Sequence, residues 1–281
     1  MPDGEGPFPA AVVVHQGVFK AGDPFGVQIT NVCKDLCAAG FMTLPIEYRL
    51  APPHIPMNYP KRPKPSQDSV VPVDDGHYPK QTDDCRTALR TARGLADCNG
   101  TVVMVGESAG ASHTVYCTAR GRKGDSQPDA AVAFSPPCYF DDIDHLQVDF
   151  SEDADMHSAL TNYLGIPDTF PNYSAEVMAQ LHDASPSTYV RPGMCPIFIV
   201  ISSDDGSGID TYDFPAIISR FKQKGMGETA VATRGCYRQM VVPVKVQTHA
   251  FSIWNKPFNG VDGSKTAGQV AIEWLQGFLA R

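Results

Sequence analysis

Apolar residues in this chain fall into short unbroken runs separated by stretches with helical spacing. The runs AAVVV (10–14), TVVMVG (101–106), DAAVAFSP (129–136) and PIFIVIS (196–202) are too short for buried helices. Runs of this length that do not alternate with polar residues predict strands buried on both faces. FMTLPIEYRL (41–50) and VVPVKVQ (241–247) predict two more. Between them, Ile29, Val32, Cys33, Leu36 and Cys37 recur on one helical face, and Gly40 stands where a left-handed C-terminal residue belongs. Helices are also predicted over about 80–95, from Ala109 to the glycines at 121 and 124, over 213–224 and over 266–280. This alternation predicts an α/β class protein whose mostly parallel sheet carries helices on both faces.

Two segments break the rhythm. Residues 51–80 hold eight prolines and the basic cluster KRPKPS, so they form neither a regular helix nor a central strand. Residues 138–190 read as an irregular, partly helical insertion that caps the body. The 281 residues lie within the range of one α/β domain, so 1–281 is expected to be a single unit with these two decorations.

Composition narrows the partners. A net charge of −8 and a pI near 5.4 argue against a polyanion, which clustered Lys and Arg would bind, so no nucleic acid partner is expected. No stretch approaches the ~18–20 apolar residues of a membrane span, and the start, MPDGEGPFPA, lacks a basic segment followed by an apolar one. The eight cysteines form no CxxC pair and have no His partner at zinc spacing, so no metal site and no cofactor are expected. A reducing, cytoplasmic setting fits, although an even count leaves disulfides open. Seven acidic residues crowd 141–155, but without the glycine and terminal Glu of a calcium loop they read as a solvated face. GMGETAVATRG follows a helix rather than a strand, which excludes a dinucleotide reading.

The chemistry concentrates in VVMVGESAGA, which places Ser108 in a G-x-S-x-G pattern between a strand and a helix. A sharp turn there strains the serine backbone and requires small residues two before and two after it, here Gly106 and Gly110. The amide of Ala109, at a helix N-terminus, then faces a developing oxyanion. A second donor is needed, and the loop His15-Gln16-Gly17-Val18-Phe19 after the first strand can supply it through the amides of Gly17 and Val18. His15 itself reads as a structural loop residue. A serine hydroxyl also needs an imidazole oriented by a carboxylate. His249, directly after the last apolar run, is the suitably placed histidine. His145, His157 and His182 fall in the insertion and read as surface residues. The loop after PIFIVIS offers Asp204 and Asp205 as the acid.

These motifs resemble the α/β-hydrolase serine esterases of the hormone-sensitive-lipase and feruloyl-esterase-like (BD-FAE-type) branches. His15, Gly17, Phe19 and Gly22 match the HGGG-aromatic-Gly loop, with Gln16 and Val18 in place of glycines. IEYRLAPP (46–53), Pro79 with Asp84 and Ala88-Leu89, and Ala184-Ser185-Pro186 to Val190 are similar to further segments in the same order. The family places one or two strands ahead of the oxyanion loop, whereas this sequence starts at the strand that carries it. Alignment of Pro196 with the family's strand-opening proline favours Asp205 over Asp204. The resemblance implies a serine carboxylesterase acting on a small-molecule ester, with Ser108, Asp205 and His249 as catalytic residues and Gly17, Val18 and Ala109 forming the oxyanion hole. Feruloyl or acetyl esterases acting on plant polysaccharide decorations, arylformamidases and, more remotely, non-catalytic ligand-binding homologues share these motifs.

Overall fold

A computed structural model describes residues 1–52, 76–142, 160–167, 172–205 and 209–280. The Pro-rich stretch 53–75, the histidines at 145 and 157 and most of the acidic run at 141–155 lie outside the described residues.

The four apolar runs form β1 (Phe8–Val14), β3 (Cys98–Glu107), β4 (Ala130–Phe134) and β5 (Ile197–Ser202). β2 (Met42–Ile46), β6 (Gly227–Glu228) and β7 (Cys236–Val242) complete a seven-stranded sheet of order β2-β1-β3-β4-β5-β7-β6, and every pairing is parallel. The period-two geometry of a strand explains why the runs are apolar throughout. Ala11, Val13, Val103, Val105, Val132 and Val200 pack on one face against α1 (Val27–Ala38) and α6 (Ala267–Leu279). Their neighbours Ala10, Val12, Val14, Val102 and Met104 pack on the other face against α2 (Lys80–Gly94). Farther along that second face, Ala131, Ala133, Ile197, Ile199 and Ile201 meet α3 (Ala109–Arg120) and α5 (Phe214–Gln223). Within the insertion, α4 (Ala175–Ala184) is a regular helix.

Two strand boundaries differ from expectation. The last long strand starts five residues earlier than VVPVKVQ, at Cys236, and ends at Val242. Pro243 has no amide to continue a ladder, and the mostly half-buried positions of CYRQMVV conceal the strand in a hydropathy reading. The second strand ends at Ile46, and EYRL leaves the sheet. There Arg49 makes a two-pronged ion pair with Asp84 on α2, at 2.7 and 2.8 Å.

From β1 the chain runs outward to the edge strand β2, then crosses back so that β3 and its successors extend the sheet the other way. Strand order therefore reverses between β1 and β3, and in open parallel sheets the crevice beyond the carboxyl ends at such a reversal is where ligands bind. The HQGVF loop leaves β1 at this crevice, and Ser108 leaves β3 beside it.

Candidate active site

Ser108 occupies the single residue between β3 and α3 with φ 49° and ψ −119°, a conformation that L-residues rarely adopt. Its amide donates to the Phe134 carbonyl at 2.9 Å, which extends the β3–β4 pairing up to the turn. The close approach explains the two glycines. A Cβ on Gly106 would run into the Gly110 carbonyl and Thr114, and one on Gly110 would run into the carbonyls of Val14 and His15. The pattern G-x-S-x-G is thus a packing requirement of this turn, and it seats the first turn of α3 directly on the end of β1.

Asp205 and His249 come together although 44 residues separate them. Nδ1 of His249 donates to Oδ1 of Asp205 at 2.5 Å. The Asp205 side chain is fully buried, whereas that of His249 is 27% exposed. Nε2 of His249 takes part in no hydrogen bond among the described residues, so it is the ring nitrogen available for proton exchange. Asp204 is exposed, and its carbonyl accepts the Thr248 amide at 2.9 Å, which ties the acid loop to the histidine loop. Ser202 Oγ adds a second tie by donating to the Thr248 carbonyl at 2.5 Å.

The His15–Phe19 loop is built on unusual backbone. Gly17 has φ 140°, while Val18 and Phe19 lie in the left-handed region at 46° and 63°. A Cβ on Gly17 would strike the Ala21 carbonyl, and one on Gly22 would strike the Gln16 carbonyl and the His15 ring. No hydrogen bond among the described residues engages the amides of Gly17, Val18 or Ala109. His15 is buried, stacks on Tyr48 with ring centroids 4.3 Å apart, and donates from Nδ1 to the Gln16 carbonyl at 2.8 Å. Tyr48, from the YRLAP segment, donates its hydroxyl to the His15 carbonyl at 3.0 Å. Burial lowers the His15 pKa to about 4, which keeps the ring neutral and fits a structural role.

Three buried polar groups escaped the sequence reading. His113 Nε2 on α3 donates to Gln81 Oε1 at 3.0 Å, and Gln81 Nε2 donates to the Phe19 carbonyl at 2.7 Å, so two helices brace the loop from beneath. Burial pushes the His113 pKa down to about 3. Glu107, buried directly before Ser108, accepts the Phe251 amide at 3.1 Å, and burial raises its pKa to about 7. Glu107 was visible as the one charge closing an otherwise apolar run. Gln81 and His113 carried no comparable signal.

The insertion packs on the loop. Phe19 stacks on Tyr163 at 4.2 Å with planes 14° apart and meets Phe140 edge-on. Ala109, Leu160, Leu164, Leu181 and Ala184 belong to the same cluster. His182 lies away from it, paired with Asp141 at 2.5 Å on an exposed surface. All eight cysteines are free thiols. No helix among the described residues is long and apolar enough to cross a membrane.

No protein-family model and no curated protein matches this chain. Solved structures do. A thermophilic esterase from Thermogutta terrifontis, bound to propionate, superposes with a TM-score of 0.61 at 19% identity, covering 99% of this chain and 86% of that one. Esterase B from Lactobacillus rhamnosis gives 0.66 at 16% identity over 100% of this chain and 78% of that one. An acetyl ester-xyloside bifunctional hydrolase from Caldicellulosiruptor lactoaceticus gives 0.65 at 15% identity over 98% and 84%. The fold is therefore the α/β fold of these ester hydrolases, with an all-parallel seven-stranded sheet.

Proposed function

We propose that this protein is a serine carboxylesterase that hydrolyses small, short-acyl esters through an acyl-enzyme on Ser108. The observation that carries the reading is the Asp205–His249 hydrogen bond, in a loop held to the strained Ser108 turn where the Phe251 amide donates to Glu107. The fold likeness to ester hydrolases supports it independently.

In this reading the Ser108 hydroxyl attacks the ester carbonyl while His249 Nε2 takes its proton. Asp205 holds the imidazole with Nδ1 protonated, so that Nε2 presents a lone pair, and it stabilises the imidazolium that forms. The carbonyl oxygen becomes an oxyanion held by the amide of Ala109 together with that of Gly17 or Val18. Such donors act in a buried site without reorganising, and the loss of one forfeits roughly 3–4 kcal/mol of transition-state stabilisation. His249 then returns the proton to the departing alkoxide. Water attacks the acyl-enzyme by the same route, releasing the acid and regenerating Ser108. The insertion, seated on Phe19, caps the site and shapes its acyl and alcohol pockets, and its short length suits small esters.

A second reading is an esterase acting on acyl decorations of plant polysaccharides, favoured by the likeness to an acetyl ester-xyloside hydrolase and to a carbohydrate esterase from gut microbiota. One panel decides between them: p-nitrophenyl esters of increasing chain length, methyl ferulate, acetylated xylo-oligosaccharide and N-formylkynurenine, with Ser108→Ala as control. Activity greatest on acetate and butyrate esters and abolished in Ser108→Ala is the expected result. Undiminished hydrolysis by Ser108→Ala would falsify the mechanism.

A further inference from the structure

Ser135 stands one residue past β4, fully buried, and its amide donates to the Val200 carbonyl at 2.8 Å. At this point the backbone turns into the left-handed region, φ 53°, where glycine sits without strain and serine does not. The turn places its hydroxyl between two loops that carry the proposed chemistry. Oγ donates to Oδ2 of Asp205 at 2.6 Å and accepts the amide of Ala250, the residue after His249, at 3.1 Å. Both contacts are buried.

A carboxylate rotates readily about its last bond, because that torsion is broad and roughly two-fold. Held by His249 alone, Asp205 could turn either oxygen toward the ring. With Oδ2 fixed by Ser135, Oδ1 is the oxygen that faces Nδ1. The same hydroxyl anchors the backbone next to His249, so one atom sets the position of both partners. Strained backbone persists where the surroundings require it, and here a side chain is retained at a site that glycine would occupy more comfortably.

We propose that Ser135 is a positioning residue for the acid–base pair, a fourth member of the site that acts through Asp205 and His249 without touching substrate. The proposal rests on the esterase reading above for its catalytic consequence, but the coupling of Ser135 to the pair can be measured without substrate.

The test compares Ser135→Ala and Ser135→Gly with wild type, using kcat and KM on p-nitrophenyl butyrate and the downfield proton NMR signal of His249 Nδ1–H, assigned by its absence in His249→Gln. Glycine is at home at φ 53°, so the second variant keeps the fold while lacking the hydroxyl. Both variants are expected to lose kcat by roughly 10- to 100-fold at nearly constant KM, the range for a misplaced catalytic group, and to shift or broaden the downfield signal. A kcat within about twofold of wild type overturns the proposal, as does a lower kcat with the signal unmoved, which marks a purely structural effect. If wild type hydrolyses no ester, the esterase reading fails, and the NMR signal alone then decides for or against Ser135.

Discussion

The carboxylate of Glu107 accepts the backbone amide of Phe251 at 3.1 Å, which joins the residue before Ser108 to the loop that starts at His249. One buried acid thus ties the Ser108 turn to the His249 loop. Burial raises its pKa from 4.5 to about 7. Between those values the folded protein holds a proton that the unfolded chain has released. The associated stability is complete below pH 4.5 and is lost as pH rises through 7, by at most ~3 kcal/mol at 1.36 kcal/mol per unit. Urea denaturation of wild type should show this decline between pH 5 and 8, and Glu107→Gln should flatten it. Parallel declines in the two proteins would assign the effect to other groups.

Asp204 and Asp205 are neighbours in sequence with opposite surroundings. Asp205 is buried and bonded by His249 and Ser135, whereas Asp204 is exposed and offers its backbone carbonyl to Thr248. Asp205→Asn should lower kcat by about 10⁴-fold, the loss expected when the carboxylate that sets the histidine tautomer becomes an amide. Asp204→Asn keeps the backbone contact and should stay within about threefold of wild type, since exposed side chains contribute little. Steady-state kinetics on one ester suffice, and a larger loss at 204 would reverse the assignment.

Gly17 has φ 140°, and a Cβ there would strike the Ala21 carbonyl. Gly17→Ala therefore has to rearrange the turn closed by the Lys20 and Ala21 amides on the Gly17 carbonyl. Because that turn carries the proposed donors, kcat should fall by roughly 10²–10³-fold. The sheet lies outside the turn, so far-ultraviolet circular dichroism should match wild type. A kcat near wild type would remove Gly17 and Val18 from the oxyanion hole.

How much of this was legible in the sequence follows from the kind of signal each part leaves. The central strands were, because burial on both faces demands unbroken apolar runs such as AAVVV and PIFIVIS. The pairing of His249 with a loop aspartate was too, because strand order dictates which loops share an edge. β7 was misplaced by five residues because half its positions are only partly buried and its sequence mixes Arg238 and Gln239 with Val241 and Val242. Ser135, Gln81 and His113 were invisible for a different reason. Each is a common polar residue whose role comes from partners 32 to 115 positions away, and such pairing leaves no local pattern. A left-handed serine cannot be told from an ordinary loop serine until its φ is known.

The insertion offers a last test, because Tyr163 stacks on Phe19 at 4.2 Å and thereby couples cap packing to the loop that carries the proposed oxyanion donors. Tyr163→Leu keeps the site apolar but removes the stacked ring, a change expected to destabilise the protein by roughly 1–3 kcal/mol. Stability loss alone would not reveal coupling, so a matched control is needed. Leu36→Ala, fully buried between α1 and the opposite face of the sheet, should destabilise by about 2–5 kcal/mol while leaving the crevice intact. At a temperature where both variants remain folded, Tyr163→Leu should lower kcat several-fold and Leu36→Ala should not, because Phe19 carries the left-handed backbone of the loop with it when its ring is freed. Equal kcat values in the two variants would mean that Gln81, which holds the Phe19 carbonyl from beneath and is itself bonded by His113, keeps the loop in place without the cap.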